Sequence, residues 1–190
     1  MGNGKVSFQK KIVVGLLLLW AILLIIFGLV HSGLLSRKVS VFFFQNQSDG
    51  SLKLVEIPRQ IKIKGLKTDT SEMIKYALKE LILGPTQEES EAYISCVPAE
   101  ANIRDVKIEN DLIYVDFDEN IESGGGVLEL QGRLAQIVFT ATQFSPQSGV
   151  RLLIEGKEIK SFGGEGITDV EKPMFRSDFE KFLQGEKNER

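Results

Sequence analysis

Residues 12–30 read IVVGLLLLWAILLIIFGLV, and this apolar stretch divides the chain into a membrane segment and a domain that follows it. A helix that crosses a bilayer needs about 20 predominantly apolar residues, and these 19 residues include no charge. Fifteen of them are Ile, Val, Leu or Phe, and each favours insertion by about 0.3–0.6 kcal/mol at the helix centre. A buried core helix would normally show a polar face, so the sequence predicts a membrane-spanning helix.

The same run has to be read either as a cleaved signal peptide or as a retained anchor. Lys5, Lys10 and Lys11 precede it, as basic residues precede both kinds of segment. A signal peptide has a shorter apolar core, of about 7–15 residues, and a small-residue cleavage site, for which His31-Ser32-Gly33 is a poor substitute. We therefore expect an uncleaved anchor, and the basic residues place its N-terminus in the cytoplasm.

Charge is distributed unevenly along the chain. All 26 acidic residues lie after residue 38, together with 18 of the 23 basic residues, so residues 39–190 carry a net charge of −8. Sequence-independent nucleic-acid binding needs Lys and Arg to neutralise phosphates, so we expect no nucleic-acid partner. The single cysteine, Cys96, excludes an internal disulfide and is expected to behave as a small buried hydrophobic residue.

The chain is expected to fold as an anchor followed by one domain. We predict a short cytoplasmic N-terminus at 1–11, a transmembrane anchor at 12–30, a linker at 31–38, an α+β domain at 39–176 and a charged, frayed tail at 177–190. A domain of about 150 residues buries roughly 68–70% of its unfolded surface, which is enough for a real core.

Hydrophobic periodicity and turn signals predict the element order β-β-α-β-β-α-β. The expected strands are 39–44, 52–63, 104–108, 112–117 and 150–154, with helices from Asp69 to Gly84 and from Gly126 to Pro146. Pro58 should interrupt its strand or lie at a sheet edge. An antiparallel or mixed sheet with both helices packed on one face would bury the core.

The first helix has clear start and stop signals. Asp69 is expected to cap it, Glu72 is its capping-box partner, and Gly84-Pro85 ends it. Apolar residues between these signals recur at helical spacing and predict one buried face, formed by Ile74, Ala77, Leu78, Leu81 and Ile82.

The candidate chemistry of the domain rests on carboxylates. The only histidine, His31, lies at the edge of the anchor, so the domain cannot build a Ser-His-Asp or Cys-His nucleophile or a common zinc site. Asp116 and Asp118 lie two apart on a predicted strand, and Glu122 is near them. Such groups can hydrolyse glycosides or bind Ca²⁺, but we interpret them as the solvated face of that strand.

Two glycine-rich segments do not match known phosphate-binding patterns. Gly124-Gly125-Gly126 precedes a predicted helix, but no P-loop Lys-Ser/Thr or G-x-G-x-x-G follows, so we interpret it as a flexible lead-in. Gly163-Gly164-Glu165-Gly166 is expected to be a mobile loop. The sequence therefore predicts no catalytic, cofactor-binding or metal-binding residue.

Several short motifs follow one another in an order typical of one bacterial family. They are Leu83-Gly84-Pro85-Thr86, Val97-Pro98, Thr140-Ala141-Thr142-Gln143-Phe144 and Ile154-Glu155-Gly156-Lys157. With them, residues 39–176 resemble the GerMN domain family of GerM-like sporulation and spore germination proteins. The resemblance implies an extracytoplasmic, membrane-tethered α+β module, similar to small ring-building domains, from which no catalytic residue carries over. This chain differs from the best-known member of the family in having an anchor instead of a lipid-accepting cysteine, and one domain instead of two.

We therefore expect a non-enzymatic, single-pass protein of the bacterial cytoplasmic membrane, linked to sporulation or germination by the resemblance. Its domain would lie in the periplasm or on the outer face and contact other envelope proteins or further copies of itself. Two alternatives stay open. One is a peptidoglycan-directed hydrolase that uses Asp116, Asp118 or Glu122. The other is a module that binds cell-wall glycan or a small ligand in an aromatic-lined cleft.

Overall fold

The computed structural model describes residues 3–31, 36–62, 68–164 and 169–185. The chain divides into an N-terminal unit and a folded domain that begins at Lys38. The N-terminal unit contains helix α1, Asn3–His31, whose 29 residues span about 43 Å. Its segment Lys11–Gly28 has a mean hydropathy of 2.7 and exposes all its side chains. By length and composition, α1 can cross a membrane.

The domain begins with a three-stranded sheet in the order β2-β1-β3. Strand β1 is Ser36–Asn46, β2 is Leu52–Lys62, and β3 is Tyr93–Ile94. Pro58 lies in the edge strand β2, as predicted, where a missing N–H costs least. Strand β1 starts inside the predicted linker, of which residues 32–35 lie outside the described residues, as does Ile63 after β2.

A second sheet has the order β4-β5-β6-β7. Its strands are β4 (Ile103–Glu109), β5 (Leu112–Phe117), β6 (Gly149–Ile154) and β7 (Lys157–Glu158). The predicted hairpin β4-β5 is confirmed, and its turn residues Asn110 and Asp111 both have positive φ, of 50° and 62°. Strand β6 pairs in parallel with β5. The strands therefore form two sheets and not the single sheet predicted, because which strands pair depends on contacts between residues distant in sequence.

Two helices complete the core. Helix α2 is Thr70–Leu83; Asp69 Oδ1 accepts a hydrogen bond from Glu72 N at 2.9 Å, which confirms the predicted cap. The predicted buried face is also confirmed, with Ile82 half-buried at its border. Helix α3 is Val127–Ala141 and packs against α2, which also covers β4. It ends five residues before Pro146, where the Thr142 hydroxyl donates to the Val138 carbonyl at 2.7 Å.

The C-terminal segment differs from the predicted frayed tail. Residues Arg176–Phe179 form a 3₁₀ helix, and Lys181–Gln184 form the short helix α4. Phe179 and Phe182 are buried, and the Phe182 ring meets the Phe44 ring of β1 at a centroid distance of 5.2 Å. Their apolar contacts are non-local, so the charged composition of the segment gives no sign of them. The last residues, 186–190, lie outside the described range.

Arg176 fastens this segment to α3. Its guanidinium lies 4.8 Å from the Phe139 ring centroid and 5.4 Å from that of Phe42. The Arg176 Nε donates to Thr142 Oγ1 at 2.8 Å, and Nη2 donates to the Phe139 carbonyl at 3.0 Å. One side chain therefore binds the C-terminal carbonyl region of α3 and stacks on two aromatic rings of the core.

Side chains of α3 take the place of a strand along part of β1. Strand β3 pairs with β1 only at Phe44 and Gln45. Farther back, Gln143 Oε1 accepts from Ser40 N at 2.7 Å, and Gln143 Nε2 donates to Ser40 O at 3.1 Å. Thr140 Oγ1 accepts from Phe42 N at 3.2 Å. Buried backbone groups need partners, and a helix can supply them laterally only through its side chains.

Gln136 continues this pattern where β1 and the chain after β3 separate. Its Oε1 accepts from Cys96 N at 2.7 Å, and its Nε2 donates to Phe42 O at 2.9 Å. The amide therefore sits between the two backbones as a peptide group of a strand would. We call Arg133, Gln136 and Thr140, together with Gln143 two residues after the end of the helix, the polar stripe of α3.

Position 81 tests the packing of α2. Leu81 is 1% exposed and Leu83 is 75% exposed, so Leu81→Asp and Leu83→Asp place the same charge inside and outside the core. We expect Leu81→Asp to unfold the domain, because a buried unpaired charge costs several kcal/mol of the roughly 5–15 kcal/mol that stabilise a domain. Leu83→Asp should change the unfolding free energy by under about 0.5 kcal/mol. Thermal melts of fragment 36–190 compare them, and equal tolerance would refute the assigned face.

Position 136 tests the polar stripe. Gln136→Leu leaves Cys96 N–H and Phe42 C=O without their partner, and each unpaired buried group costs about 1–3 kcal/mol. We expect urea unfolding of fragment 36–190 to show a loss of about 2–5 kcal/mol. The exposed Gln87 is the matched control, and Gln87→Leu should stay within about 0.5 kcal/mol of the parent. A Gln136→Leu variant as stable as the control would contradict the structural role.

Candidate functional site

A groove of about 360 Å³ lies between β3 and the N-terminal half of α3. We call it the β3–α3 groove. Its lining consists of Phe44, Leu52, Ile94, Ser95, Cys96, Leu128, Glu129, Gly132 and Phe182. Most of these side chains are apolar, and Glu129 is the one charged side chain of this lining. The size and lining fit a site that takes apolar groups from a ligand or partner.

Gly132 allows the helix to lie this close to the sheet. A Cβ on Gly132 would come within 3.0 Å of Cys96 Sγ and of the Phe44 ring. Any side chain at position 132 would therefore push α3 away from β1. The floor of the groove depends on this contact.

The polar stripe holds the wall formed by β3. Arg133 is 1% exposed, and its Nε donates to the Cys96 carbonyl at 2.7 Å. Its Nη1 donates to the Ile121 carbonyl at 2.6 Å, and Nη2 donates to the Gly124 carbonyl at 3.3 Å. Because Gln136 binds the N–H of Cys96, both backbone groups of this residue are held by α3. The sequence did not lead us to predict that Arg133 and Gln136 bind the backbone near β3. The signal for this role is that both polar residues lie on an otherwise apolar face of the helix.

The segment before β3 is held by an ion pair. Arg59 Nη1 donates to Glu89 Oε1 at 2.8 Å, and Glu89 Oε2 accepts from Thr86 N at 3.0 Å. The hydrogen bond from Arg59 lowers the pKa of Glu89 to about 2. This pair joins β2 to the turn residues that lead into β3.

The rim of the groove exposes large apolar side chains. Ile94 and Leu128 are each 40% exposed and line the groove from opposite sides. Single exposed apolar residues are common, but exposed apolar residues on both sides of one apolar groove are typical of an interaction surface.

Cys96 lines the floor of the groove as a hydrophobic residue. Burial raises the pKa of its thiol to about 12, and the negative charge of Glu129 acts in the same direction. The thiol is therefore protonated at neutral pH, and a thiolate nucleophile is disfavoured. Cys96 packs against the core as a hydrophobic residue, as expected, but it is half-buried and not fully buried.

The candidate carboxylates do not share a solvated strand face. Asp116 is 8% exposed; its Oδ1 accepts from Gly156 N at 2.8 Å, and its Oδ2 lies 3.2 Å from Arg104 Nε. The prediction was wrong for Asp116, because the turn between β6 and β7 folds over it. Asp118 lies beyond β5, and Glu122 Oε1 accepts from Gly163 N at 2.8 Å. Each carboxylate is therefore bound to a turn or loop.

Asp118 has the wrong electrostatics for a general acid. Desolvation, the largest single influence, raises the pKa of Asp118. The hydrogen bonds from Asn102 and Asn120 together outweigh it, so the pKa of Asp118 is lowered from its ordinary value. A glycosidase acid needs a raised pKa. Within the described part of the chain, no three His, Cys, Asp or Glu side chains come together in a way that could hold a metal ion.

The glycine-rich segments have local structural roles. Gly126 caps α3 in extended backbone, and Gly124 and Gly125 adopt positive φ of 66° and 91°, which confirms a lead-in to the helix. Gly163 lies so close to Leu130 that a Cβ would come within 2.4 Å of it. Glu165 and Gly166 of the second predicted loop lie outside the described residues.

A second cavity, of about 490 Å³, lies between α3 and the C-terminal segment. Its lining mixes apolar side chains such as Leu134, Met174 and Phe179 with the charged side chains of Lys172 and Asp178. Phe175 is the other aromatic residue there. Gln131 and Lys181 complete its polar lining, and they are hydrogen-bonded to each other at 2.8 Å.

Comparison with known proteins supports the predicted family. Three solved structures share the fold of this domain. The tandem GerMN domains of the sporulation protein GerM from Bacillus subtilis are 22% identical, with a TM-score of 0.58 over 76% of this chain and 48% of that one. The first GerMN domain of the same protein is 21% identical, with a TM-score of 0.55 over 75% and 99%. A Clostridium perfringens protein described as a lipoprotein is 20% identical, with a TM-score of 0.51 over 75% and 89%.

No curated protein matches the chain. The model of the family named Germane, described as "Sporulation and spore germination", matches residues 40–160, which is more than half of the chain. This range contains α2, α3, all of the second sheet, and the first sheet except the start of β1, together with the lining of the β3–α3 groove except Phe182. The resemblance of the domain to GerMN domains is thereby confirmed, and the chain belongs to the Germane family of sporulation and spore germination domains.

Proposed function

We propose that this chain is a membrane-anchored, extracytoplasmic interaction module of the bacterial cell envelope, which acts by binding other proteins and catalyses no reaction. The observation that carries the proposal is the β3–α3 groove, whose lining exposes Ile94 and Leu128. Apolar side chains grouped on one surface gain free energy when a partner covers them, at about 25 cal/mol per Å².

The use of the polar groups supports the same proposal. The buried side chains of Arg133, Gln136 and Thr140 hold backbone groups, and the three candidate carboxylates bind turns or loops. Asp118, for example, binds Asn102 and Asn120 at the start of its 3₁₀ helix. These polar side chains are occupied by contacts that stabilise the fold. The exposed apolar side chains of the groove are therefore better placed than they are to bind a partner.

The anchor supports the proposed location of the domain at the membrane. Helix α1 contains an apolar run with the length and composition of a membrane span, and Lys5, Lys10 and Lys11 precede that run. The basic excess before the span favours a cytoplasmic N-terminus, so the domain lies outside the cytoplasmic membrane in this proposal. The family description and the name of the Bacillus subtilis relative favour a role in sporulation or germination.

The membrane topology can be tested directly. We expect the mature protein purified from membranes to keep the residues before the anchor, because the apolar run is longer than a signal peptide core. N-terminal sequencing measures this, and a mature chain that starts near Gly33 would contradict it. Protease added to spheroplasts should degrade the domain, whereas complete protection would reverse the proposed orientation.

The interaction role can be tested by cross-linking in intact cells. The full chain and a control, in which α1 is fused to an unrelated soluble domain, are expressed at equal levels and treated with formaldehyde. We expect protein adducts that require residues 36–190, because the exposed rim belongs to that part of the chain. Identical adduct patterns from the two proteins would count against an interaction module.

The same preparation tests the hydrolase alternative. The purified full chain is incubated with peptidoglycan, and the soluble fragments are measured by chromatography. We expect no fragments above a heat-denatured control, because the carboxylates at 116, 118 and 122 are bound to turns or loops. Fragment release that Asp118→Asn or Glu122→Gln abolishes would overturn the non-enzymatic proposal.

A further inference from the structure

The described sheet edges of the domain differ in how they are protected against pairing with another chain. Edge strand β2 contains Pro58, which cannot donate a backbone hydrogen bond. Edge strand β4 has a register shift between Ile103 and Asp105, and Lys75 Nζ donates to its Arg104 carbonyl at 2.8 Å. Prolines, bulges and lysines are the usual devices that keep edges from pairing.

The edge at β3 is protected by its shortness. Strand β3 is Tyr93–Ile94, two residues without charge, and Tyr93 N already donates to the Glu89 carbonyl at 2.9 Å. Backbone pairing is therefore not what this edge offers to a partner, and its side chains are. Ile94 on the β3 wall of the groove and Leu128 on the opposite wall are each 40% exposed, so an apolar segment laid along the groove would meet large side chains from both sides.

Charge decides which kind of occupant fits. Glu129 is the charged side chain of the lining, and it is 53% exposed. Exposed Glu88 and Glu91 lie in the turn segment that leads into β3. Nearby, Lys181 Nζ donates to Gln131 Oε1 at 2.8 Å and lies 4.9 Å from the Phe182 ring centroid. Residues 39–190 have a net charge of −8, so the domain that carries the groove is acidic overall.

The acidic charge argues against two other occupants. A second copy would bring another domain of net charge −8 and would be repelled. An anionic lipid surface attracts basic segments and would repel this domain in the same way. A basic partner gains from electrostatic complementarity, which raises the association rate and selects against acidic partners.

We propose that the β3–α3 groove binds a segment of another protein that carries one or two large apolar side chains next to Lys or Arg. The apolar side chains enter between Ile94 and Leu128, and the basic side chain lies at Glu129. The inference rests on the proposed interaction function, and it names the surface used and the chemistry of the partner segment.

Photo-cross-linking of the full chain in its own membranes tests this placement. The probe p-benzoylphenylalanine replaces Leu128 in one variant and Ile94 in a second, and it replaces Phe144 in the control. Phe144 is 45% exposed and lies beyond the C-terminal end of α3, whereas Leu128 lies about 20 Å before that end, so Phe144 matches in exposure but not in position. We expect adducts from positions 128 and 94 and none from 144. Mass spectrometry should map both adducts to a segment with Lys or Arg within about four residues of the cross-linked site, the span of one helical turn.

The charge at Glu129 is tested separately. Glu129→Gln should lower the adduct yield from position 94 by about two- to threefold, as expected for loss of one exposed ion pair. Glu109→Gln, at the end of β4 in the other sheet, should leave the yield unchanged. Because Glu129 also lies 3.8 Å from buried Arg133, a second measurement raises the salt concentration in membrane vesicles, which should lower the yield of the unaltered chain by screening.

The outcomes separate this inference from the function on which it rests. Adducts from Phe144 but not from positions 94 and 128 would overturn the groove and keep the interaction role. Adducts with a second copy, with an acidic segment, or with a yield that neither Glu129→Gln nor salt changes would overturn the partner chemistry. If no probe position and no formaldehyde treatment gives adducts, both proposals fail.

Discussion

The fold of this domain depends on hydrogen bonds from side chains of one helix to the backbone of one strand. Strand β1 pairs with β3 at only two residues. Farther back, the backbone groups of Ser40 and Phe42 bind Gln136 and Thr140 of α3 and Gln143 just after it. A glutamine amide has the same donor and acceptor as a peptide group, so it can pair with a strand as a strand would. In this arrangement polar side chains of a helix contact the backbone of a strand, whereas a helix normally packs on a sheet through an apolar face.

The same hydrogen bonds create the candidate site. Because Arg133 and Gln136 fix Cys96 from both its carbonyl and its N–H, a β3 of only two residues keeps a defined position next to α3. Gly132 lets the helix approach, and Phe182 from the C-terminal segment closes one side. The groove is therefore a consequence of how β1 is completed, and a change in the polar stripe of α3 would alter both stability and binding surface.

Local signals predicted the longer elements well and the non-local ones poorly. The cap at Asp69, the buried face of α2 and the hairpin turn at Asn110-Asp111 follow from short-range patterns, and all three are confirmed. The division into two sheets, the role of Gln136 and the burial of Phe182 depend on residues about 40 to 140 positions apart in sequence. No periodicity reports such contacts. Asp116 was misassigned for the same reason, since the group that covers it, Gly156, lies 40 residues later.

The Thr140–Phe144 motif shows how a family signature can carry structural rather than chemical information. Thr140 and Gln143 bind β1, while Thr142 caps α3 and accepts from Arg176, which secures the C-terminal segment. Every polar side chain of the motif is therefore used to join elements that are distant in sequence. A domain whose buried polar side chains bind its own backbone in this way is held in a fixed shape, and those side chains are not free to take part in a reaction. A tethered binding module needs that combination, because a rigid surface loses little entropy when a partner docks on it.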